Sequence, residues 1–326
     1  MDSPHLELAT IAPAAPPNTP SVDPAGEPVQ GTLIAADEAR LPMRAWLPKD
    51  GTPTAVILAV HGFNDYSNAF DMPGRWWAQH GIATYAYDQR GFGSAPHTGY
   101  WSGTATMTED MAEAARLLAA RYPGVPLYYL GDSMGAAVVM TALVRGTAAA
   151  PAGVILAAPA VWSRSYMPFY QRWALWTLGH TMPWLKVSGR GLGIMASDNI
   201  EMLRALGRDP LVIKETRTDT IKGLVDLMDE GFNATARLSV PSLVLIGAHD
   251  QVVPIKPQLA AVSTLPDPAH QRIAFYPNGW HMVLRDLAAE TVWTDVAAWI
   301  ARRDAPLPSG TDVEAAAKLK ERSERR

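Results

Sequence analysis

Cysteine is absent from all 326 residues. Disulfides, thiolate metal sites and cysteine nucleophiles are thereby removed together, while the redox compartment stays open. No apolar run approaches the ~18 residues that a membrane-spanning helix needs. A dense basic block is also missing from the body of the chain: 28 Lys and Arg stand against 32 Asp and Glu, a formal net charge of −4. The electrostatic footprint of nucleic-acid binding is therefore lacking. No residue cluster has metal-ligand spacing. Gly189-Arg190-Gly191-Leu192-Gly193 looks like a phosphate loop on paper, but no strand precedes it and it reads as a turn. The first residues, Met1-Asp2-Ser3-Pro4-His5, lack the basic start and apolar core of a signal peptide. The chain reads as soluble, cytoplasmic by default. The Pro/Ala-rich stretch Ala12 to Pro28 resembles the spacer behind a cleaved export or lipoprotein signal. With such a signal ahead of residue 1, a periplasmic or envelope-associated protein is expected.

What is present is an ordinary globular composition, 48% hydrophobic and 18% charged, enough for one large α/β domain with an insertion. Its organising stretch is Val125 to Met140. An apolar, aromatic-rich run of strand length ends in Gly131-Asp132-Ser133-Met134-Gly135 and passes directly into a small-residue apolar run that suits a buried helix. G-x-S-x-G alone is weak, since a chain of this length contains it by chance on the order of one time in ten. The strand before it and the helix after it make Ser133 a candidate nucleophile at the apex of a sharp turn, with glycines on both sides where a Cβ has no room.

Residues 1 to about 30 carry many prolines and no apolar period, which reads as a flexible leader. Thr32–Ala35 and Met43–Leu47 read as a hairpin, Ala55–Val60 as a buried strand, Phe70–His80 as a helix and Ala83–Tyr87 as a further strand. Thr106 and Glu109 have the spacing of a capping box for a helix running to Arg121. After the Ser133 turn, Gly153–Ala157 is another buried strand. Strands alternating with helices imply a mainly parallel, doubly wound sheet, with ligands beyond the carboxyl ends of the strands. From 160 to 238 the alternation stops. No convincing strand occurs, and Tyr166, Phe169, Tyr170, Trp173 and Trp176 recur at steps of three and four, an aromatic stripe on one helical face. This segment reads as a helical cap inserted into a core formed by 31–159 and 239–303. At least half of its stripe is expected on the sheet below, with Trp162, Trp173 and Trp176 as candidate substrate contacts. Strands resume at Pro241–Gly247 and Arg272–Tyr276, a helix at Thr291–Ala301 closes the core, and 304–326 reads as a charged, frayed tail.

Strand ends thus deliver Ser133, Asp250 and His281 in the order nucleophile, acid, histidine. A neutral serine needs a base within hydrogen-bond reach, and the base needs an acid to fix its tautomer. His281 suits the base and Asp250 the acid, while the backbone N–H groups of Phe63 and Met134 suit an oxyanion hole, with Gly62 allowing the Phe63 loop to approach. His249 and His61 read as loop histidines, Asp226 and Asp229 as a solvated helix face, and Asp88 with Arg90 as a structural loop pair.

His61-Gly62-Phe63, Asp88-Gln89-Arg90-Gly91-Phe92-Gly93-Ser94, the Gly131 to Gly135 turn, and Gly247 to Pro254 with Trp280-His281-Met282 carry a resemblance. Over roughly residues 30 to 303 the chain resembles the monoacylglycerol lipase and lysophospholipase branch of the α/β-hydrolases. That resemblance implies a serine esterase with a helical lid, no cofactor, and a glycerol-bearing single-chain lipid as substrate; the aromatic stripe of the inserted segment suits transient contact with a micelle or membrane surface. The sequence departs from the eukaryotic members at Phe63-Asn64-Asp65-Tyr66, where they have a small residue, glycine and glutamate, so a different polar headgroup site is expected. A short-chain or aryl carboxylesterase, an aminopeptidase of the proline-iminopeptidase type and a non-catalytic fold member stand as alternatives.

Overall fold

A computed structural model describes residues 4–8, 27–49, 51–189, 191, 193–313 and 315. The chain opens with β1 (His5–Leu8), β2 (Val29–Ile34) and β3 (Arg40–Trp46), which pair antiparallel in that order. β4 (Ala55–Val60), α1 (Asp71–Gln79), β5 (Ile82–Tyr87), α2 (Thr104–Arg121), β6 (Leu127–Asp132), α3 (Met134–Arg145) and β7 (Gly153–Ala157) follow. Next come α4 (Phe169–Thr181), β8 (Lys186–Val187), α5 (Ile200–Arg208), β9 (Thr216–Arg217) and α6 (Thr218–Thr235). The chain then forms β10 (Ser242–Gly247), α7 (Ile255–Val262), β11 (Gln271–Tyr276) and α8 (Ala289–Ala301). Among the described residues nine strands make one sheet in the order β1-β2-β3-β5-β4-β6-β7-β10-β11, parallel from β5 onward.

The central strands are continuously apolar because both faces are covered. Alternate side chains of β4, β6 and β10 go to opposite layers. Val56, Leu58, Tyr129, Val244 and Ile246 join Met107, Met111, Val138 and Leu227 on one side. Ile57, Tyr128, Leu130, Leu243 and Leu245 join Trp46, Trp77 and Trp299 on the other. The second half of α6 belongs to the first of these layers, with Leu227 and Ala234 buried in it. The helix is thus shared between cap and core.

Four expectations need correction. His5–Leu8 is an edge strand paired to β2, in register from His5 opposite Ile34 to Leu8 opposite Gly31, whereas composition placed it in a leader; residues 9–26 lie outside the described residues. The helix α2 starts at Thr104 behind Gly103, whose φ of 92° turns the chain into it, so Thr106 and Glu109 lie inside the first turns and no side chain caps the end. The insertion contains a two-residue antiparallel ladder, β8 with β9, too short to leave a sequence signal. Residues 302–313 are not frayed. Leu307 is buried beside Val296 and Trp299, Asp312 pairs with Arg272 at 3.1 Å, and the fully buried Asp295 accepts from Ser309 N–H (3.0 Å), Ser309 O–H (2.5 Å) and Tyr276 O–H (2.8 Å). Residues 314 and 316–326 lie outside the described residues, as do Arg190 and Leu192 of the glycine-rich stretch.

Asp295→Ala strands those three donors in the interior. A loss of about 2–4 kcal/mol is expected, read as a fall of roughly 5–10 °C in Tm. Trypsin cleavage after Arg302 and Arg303 should accelerate in parallel, and an unchanged melting curve would show the terminal segment to be unimportant to the core.

Candidate active site

The parallel sheet sends β4, β6, β10 and β11 to one edge, and the loops leaving those ends carry the site. β6 runs to Asp132, and Ser133 then turns the chain with φ 52° and ψ −110° before α3 starts at Met134. A non-glycine residue in this region is strained. The flanking structure holds it: Ser133 N–H donates to Ala157 O (2.9 Å), and Ser133 O accepts from Ala136 and Ala160 N–H (both 3.0 Å). A Cβ on Gly135 would overlap the Val60 carbonyl, and one on Gly131 would overlap the Ala136 backbone. Gly62 is different, because a Cβ there would sit in ordinary contact 3.5 Å from Asp132 O and Ser133 Cβ. Close approach of that loop does not depend on its being glycine.

Ser133 Oγ lies 3.0 Å from His281 Nε2, and His281 Nδ1 lies 2.9 Å from Asp250 Oδ2. With Nδ1–H donating to the carboxylate, Nε2 is free to accept from the serine hydroxyl. The Asp250 side chain is fully buried. Its Oδ1 accepts from Val252 and Val253 N–H (2.8 and 2.9 Å), and Oδ2 also accepts from Gln258 Nε2 (3.0 Å). Gln258 is itself wholly buried, a supporting group that sequence reasoning missed. The histidine loop is tied by Trp280 N–H to Asp286 Oδ2 (2.7 Å) and by Met282 N–H to Ala196 O (2.9 Å).

Phe63 follows His61 and Gly62 at the end of β4. His61 is buried, donates from Nδ1 to Gly62 O (2.8 Å) and accepts at Nε2 from Gln89 N–H (3.0 Å). Burial pushes its imidazole below the ordinary histidine value, in keeping with a neutral ring that pins its loop. Among the described residues neither the Phe63 nor the Met134 N–H has a protein acceptor, so both are available to an oxyanion. His249 stacks on Trp280 at 5.2 Å, outside the relay. Asp88 and Arg90 do not pair with each other: Asp88 accepts from Ser67 and Ser94 N–H (both 2.9 Å), while Arg90 bridges Asp110 and Asp37. Asp226 and Asp229 form no plain solvated face, since both pair with Arg164.

Ser133 and His281 open on a cavity of about 520 Å³. Trp162, Met167, Leu175, Leu224, Val225 and Met228 make its apolar wall. Its polar end holds Asp65, Asp132 and Arg285, three buried charges beside the serine. Arg285 pairs with Asp65 at 2.7 Å and approaches Asp132 at 3.9 Å; burial raises the Asp132 carboxyl against the pull of Arg285 and His281. Asp65 lies in the stretch that sets the sequence apart at the headgroup end and Asp132 in the turn itself, read as deciding little; Arg285 did not stand out, although it follows His281 by one helical turn's spacing. Trp162 lines the cavity as expected; Trp173 and Trp176 do not. They are 68% and 61% exposed, with Phe169 and Tyr170 beside them. Helix α4 turns Gln171 and Leu175 inward and its aromatic stripe outward, so no residue of that helix is buried. Periodicity finds a face but not the side it looks to. Among the described residues no group of three or more His, Asp or Glu could hold a metal ion, and no helix is long and apolar enough to cross a membrane.

A sequence profile of the family described as Serine aminopeptidase, S33, matches residues 51–288. The chain is 24% identical over 264 residues to a monoacylglycerol lipase of Mycolicibacterium smegmatis, covering 80% of this chain and 92% of that one. To the human monoglyceride lipase it is 24% identical over 279 residues, covering 84% and 90%. A crystal structure of a soluble variant of the Saccharomyces cerevisiae monoglyceride lipase, in complex with a substrate analog, superposes with a TM-score of 0.70 at 18% identity, covering 90% of this chain and 100% of that one. This last likeness shows the fold.

The His281 environment fixes a direction on the pH scale. Burial pushes the imidazolium down, but the Asp250 hydrogen bond and charge, with Asp132 behind them, outweigh it and raise the ring above the ordinary value of ~6.5. The neutral form, able to accept at Nε2, is therefore lost as pH falls through a value above ~6.5. Stability from the imidazolium–Asp250 pair runs the other way, complete below ~6.5 and lost as pH rises through the folded value. An NMR titration of His281 with a midpoint below 6.5 would contradict this balance.

Proposed function

Because the chain belongs to the serine aminopeptidase S33 family of α/β-hydrolases, and because Ser133 opens on a cavity apolar on one side and charged on the other, we propose that it hydrolyses carboxylic esters of single-chain lipids, monoacylglycerols or lysophospholipids. The observation that carries this reading is the hydrogen-bonded Ser133–His281–Asp250 relay at the junction of those two halves. The acyl chain lies against Trp162, Leu175 and Met228, and the polar alcohol faces Asp65, Asp132 and Arg285. Ser133 Oγ attacks the ester carbonyl while His281 Nε2 takes its proton, and Asp250 stabilises the imidazolium. The Phe63 and Met134 N–H groups meet the oxyanion. His281 then protonates the departing alcohol, and water, activated by the same nitrogen, releases the fatty acid. The exposed stripe of Phe169, Tyr170, Trp173 and Trp176 meets aggregated substrate, a contact without anchoring.

One observation favours a second reading. Asp132 is buried at the cavity wall, and among the described residues its carboxyl has no hydrogen bond, only Arg285 at 3.9 Å. An aminopeptidase needs such a carboxylate for the substrate ammonium. Arg285 already supplies a cation to this end, and the long apolar wall has no use in a dipeptide site, so the ester reading is preferred. Hydrolysis of aminoacyl anilides but not of monoacylglycerols would reverse that preference.

Ser133→Ala should abolish turnover and fluorophosphonate labelling in a folded protein, a loss of roughly 10⁶ in kcat. Asp250→Asn should cost about 10⁴, because an amide does not hold the working tautomer. Asp226→Asn and Asp229→Asn are expected to leave kcat near wild type; the reverse ranking would move the acid to the cap.

Each methylene taken from water into the apolar wall contributes up to ~0.8 kcal/mol, about fourfold in kcat/KM if the contact persists in the transition state. Monomeric p-nitrophenyl esters should therefore improve with chain length, and Leu175→Trp should shift the optimum to shorter chains by filling the cavity. Trp173→Ala and Trp176→Ala should leave that soluble series unchanged and weaken action on micellar monoacylglycerol. A wild-type profile peaking at acetate would remove the lipid reading and leave a small-ester carboxylesterase.

A further inference from the structure

The oxyanion loop is fastened on several sides, and one of them is the cap. Toward the core, His61 is held by Gln89; toward the histidine loop, Asp65 is held by Arg285. Three further hydrogen bonds reach residues 209–216, the segment that runs from the end of α5 into the first residue of β9. Ile213 N–H donates to Asn64 O (3.0 Å), Asn64 Nδ2 donates to Thr216 Oγ1 (2.7 Å), and Tyr66 O–H donates to Asp209 Oδ2 (2.6 Å). Tyr66 and Thr216 are both buried.

The receiving segment is itself stiff. Lys214 Nζ donates to both Asp209 O (2.6 Å) and Val212 O (2.7 Å), and Leu211 N–H donates to Asp209 Oδ1 (2.9 Å). Thr216 stands opposite Val187 in the β8–β9 ladder. Thr218 N–H reaches Leu185 O (2.9 Å) and its O–H reaches Met182 O (2.6 Å), directly beyond the end of α4. A run of bonded neighbours therefore joins the exposed helix α4 to Asn64.

Asn64 occupies the left-handed region at φ 64°, a conformation that glycine takes freely and asparagine best among residues with a Cβ. A glycine here would satisfy the turn, yet it has no side chain to reach Thr216. The Phe63 N–H lies between two pins, His61 before it and Asn64 after it. Releasing the second removes the side-chain tie to Thr216, leaving the peptide held through Gly62 O, which accepts from His61 Nδ1 (2.8 Å) and Asp65 N–H (3.3 Å), and through Asn64 O, which accepts from Ile213 N–H (3.0 Å).

We propose that Asn64 is a positioning residue through which the cap sets the Phe63 N–H, so that the oxyanion hole has its working geometry only while residues 209–216 are docked on the loop. The inference rests on the assignment of Ser133 as nucleophile and Phe63 as an oxyanion donor. Displacement of the cap then stops the chemical step as well as opening the cavity, and substrate is cleaved only when it is enclosed.

The test uses the full chain with Thr216→Val, which keeps the branched shape and removes the acceptor, and Asn64→Gly, which keeps the turn and removes the donor. Removing an oxyanion donor costs about 10²–10³ and misplacing a reacting group by ~1 Å up to about 10². A fall of roughly tenfold in kcat is expected for a donor that is loosened but still present. KM should stay nearly constant, p-nitrophenyl acetate and long-chain esters should lose equally, and binding of a trifluoromethyl ketone, whose adduct carries the oxyanion, should weaken by the same factor. Thr216→Ser, which restores the hydroxyl, should recover the activity. If Thr216→Val fails to fold, Tyr66→Phe removes a different one of the three bonds and should move kcat in the same direction. Unchanged kcat, a loss confined to long-chain substrates, or full retention of ketone affinity would overturn the proposal and leave the contact as cap packing. Turnover by Ser133→Ala would instead overturn the nucleophile assignment, a result distinguishable from all of these.

Discussion

The left-handed backbone of Ser133 is the constraint around which the rest is arranged. At φ 52° and ψ −110° the residue would relax into ordinary conformations if its neighbours let it. They do not: β4 and β7 flank its strand on both sides, Ala157 accepts its N–H, and α3 begins on its carbonyl side with no space for a larger residue at 135. A parallel sheet is the means by which a strained turn is over-determined. The same sheet decides which loops meet the turn, because β4 ends in the Phe63 loop, β10 in the loop of Asp250 and β11 in that of His281. Site geometry is thus a property of strand order more than of any single loop.

Charge is distributed around this turn unevenly. Asp65, Asp132 and Arg285 are each about 6% exposed, and taking such groups out of water is costly even when they pair. A core built for stability alone would have apolar side chains here. Their presence at one end of an otherwise apolar cavity gives the enclosed volume two unlike ends, the arrangement that the proposed lipid ester would use to take a single orientation. The histidine sits where these fields oppose one another: Asp250 and Asp132 favour its imidazolium against the penalty of burial and the charge of Arg285, and they prevail.

Much of this was legible in residue order. The continuous apolar runs of β4, β7 and β10 located the sheet because strands covered on both faces need no polar residues. The order Ser133, Asp250, His281 then named the residues that the fold brings within hydrogen-bond distance. Other features left no trace. The β8–β9 ladder is two residues long, below what any periodicity can register. Leu307 and Asp312 lie in a segment whose composition reads as tail, Asp295 in the helix that closes the core, and only their burial reveals the clasp they form. The stripe of α4 was visible as a period, but a period has no sign: nothing in Phe169, Tyr170, Trp173 and Trp176 tells whether they face the sheet or the solvent. Asn64 is the most instructive case, a residue noticeable as a departure from a glycine whose meaning depends on Thr216, 152 positions away.

The outward turn of α4 has a spectroscopic consequence. Of the eleven tryptophans, Trp46, Trp77 and Trp299 are sealed in the core, whereas Trp173, Trp176 and Trp184 are each more than 60% exposed, and all three of these belong to the cap. A small quencher dissolved in water therefore reaches these three indoles of the cap and spares the three sealed in the core. The protein carries, without any label, an optical record of where its cap lies, in which the emission of the core serves as the internal standard.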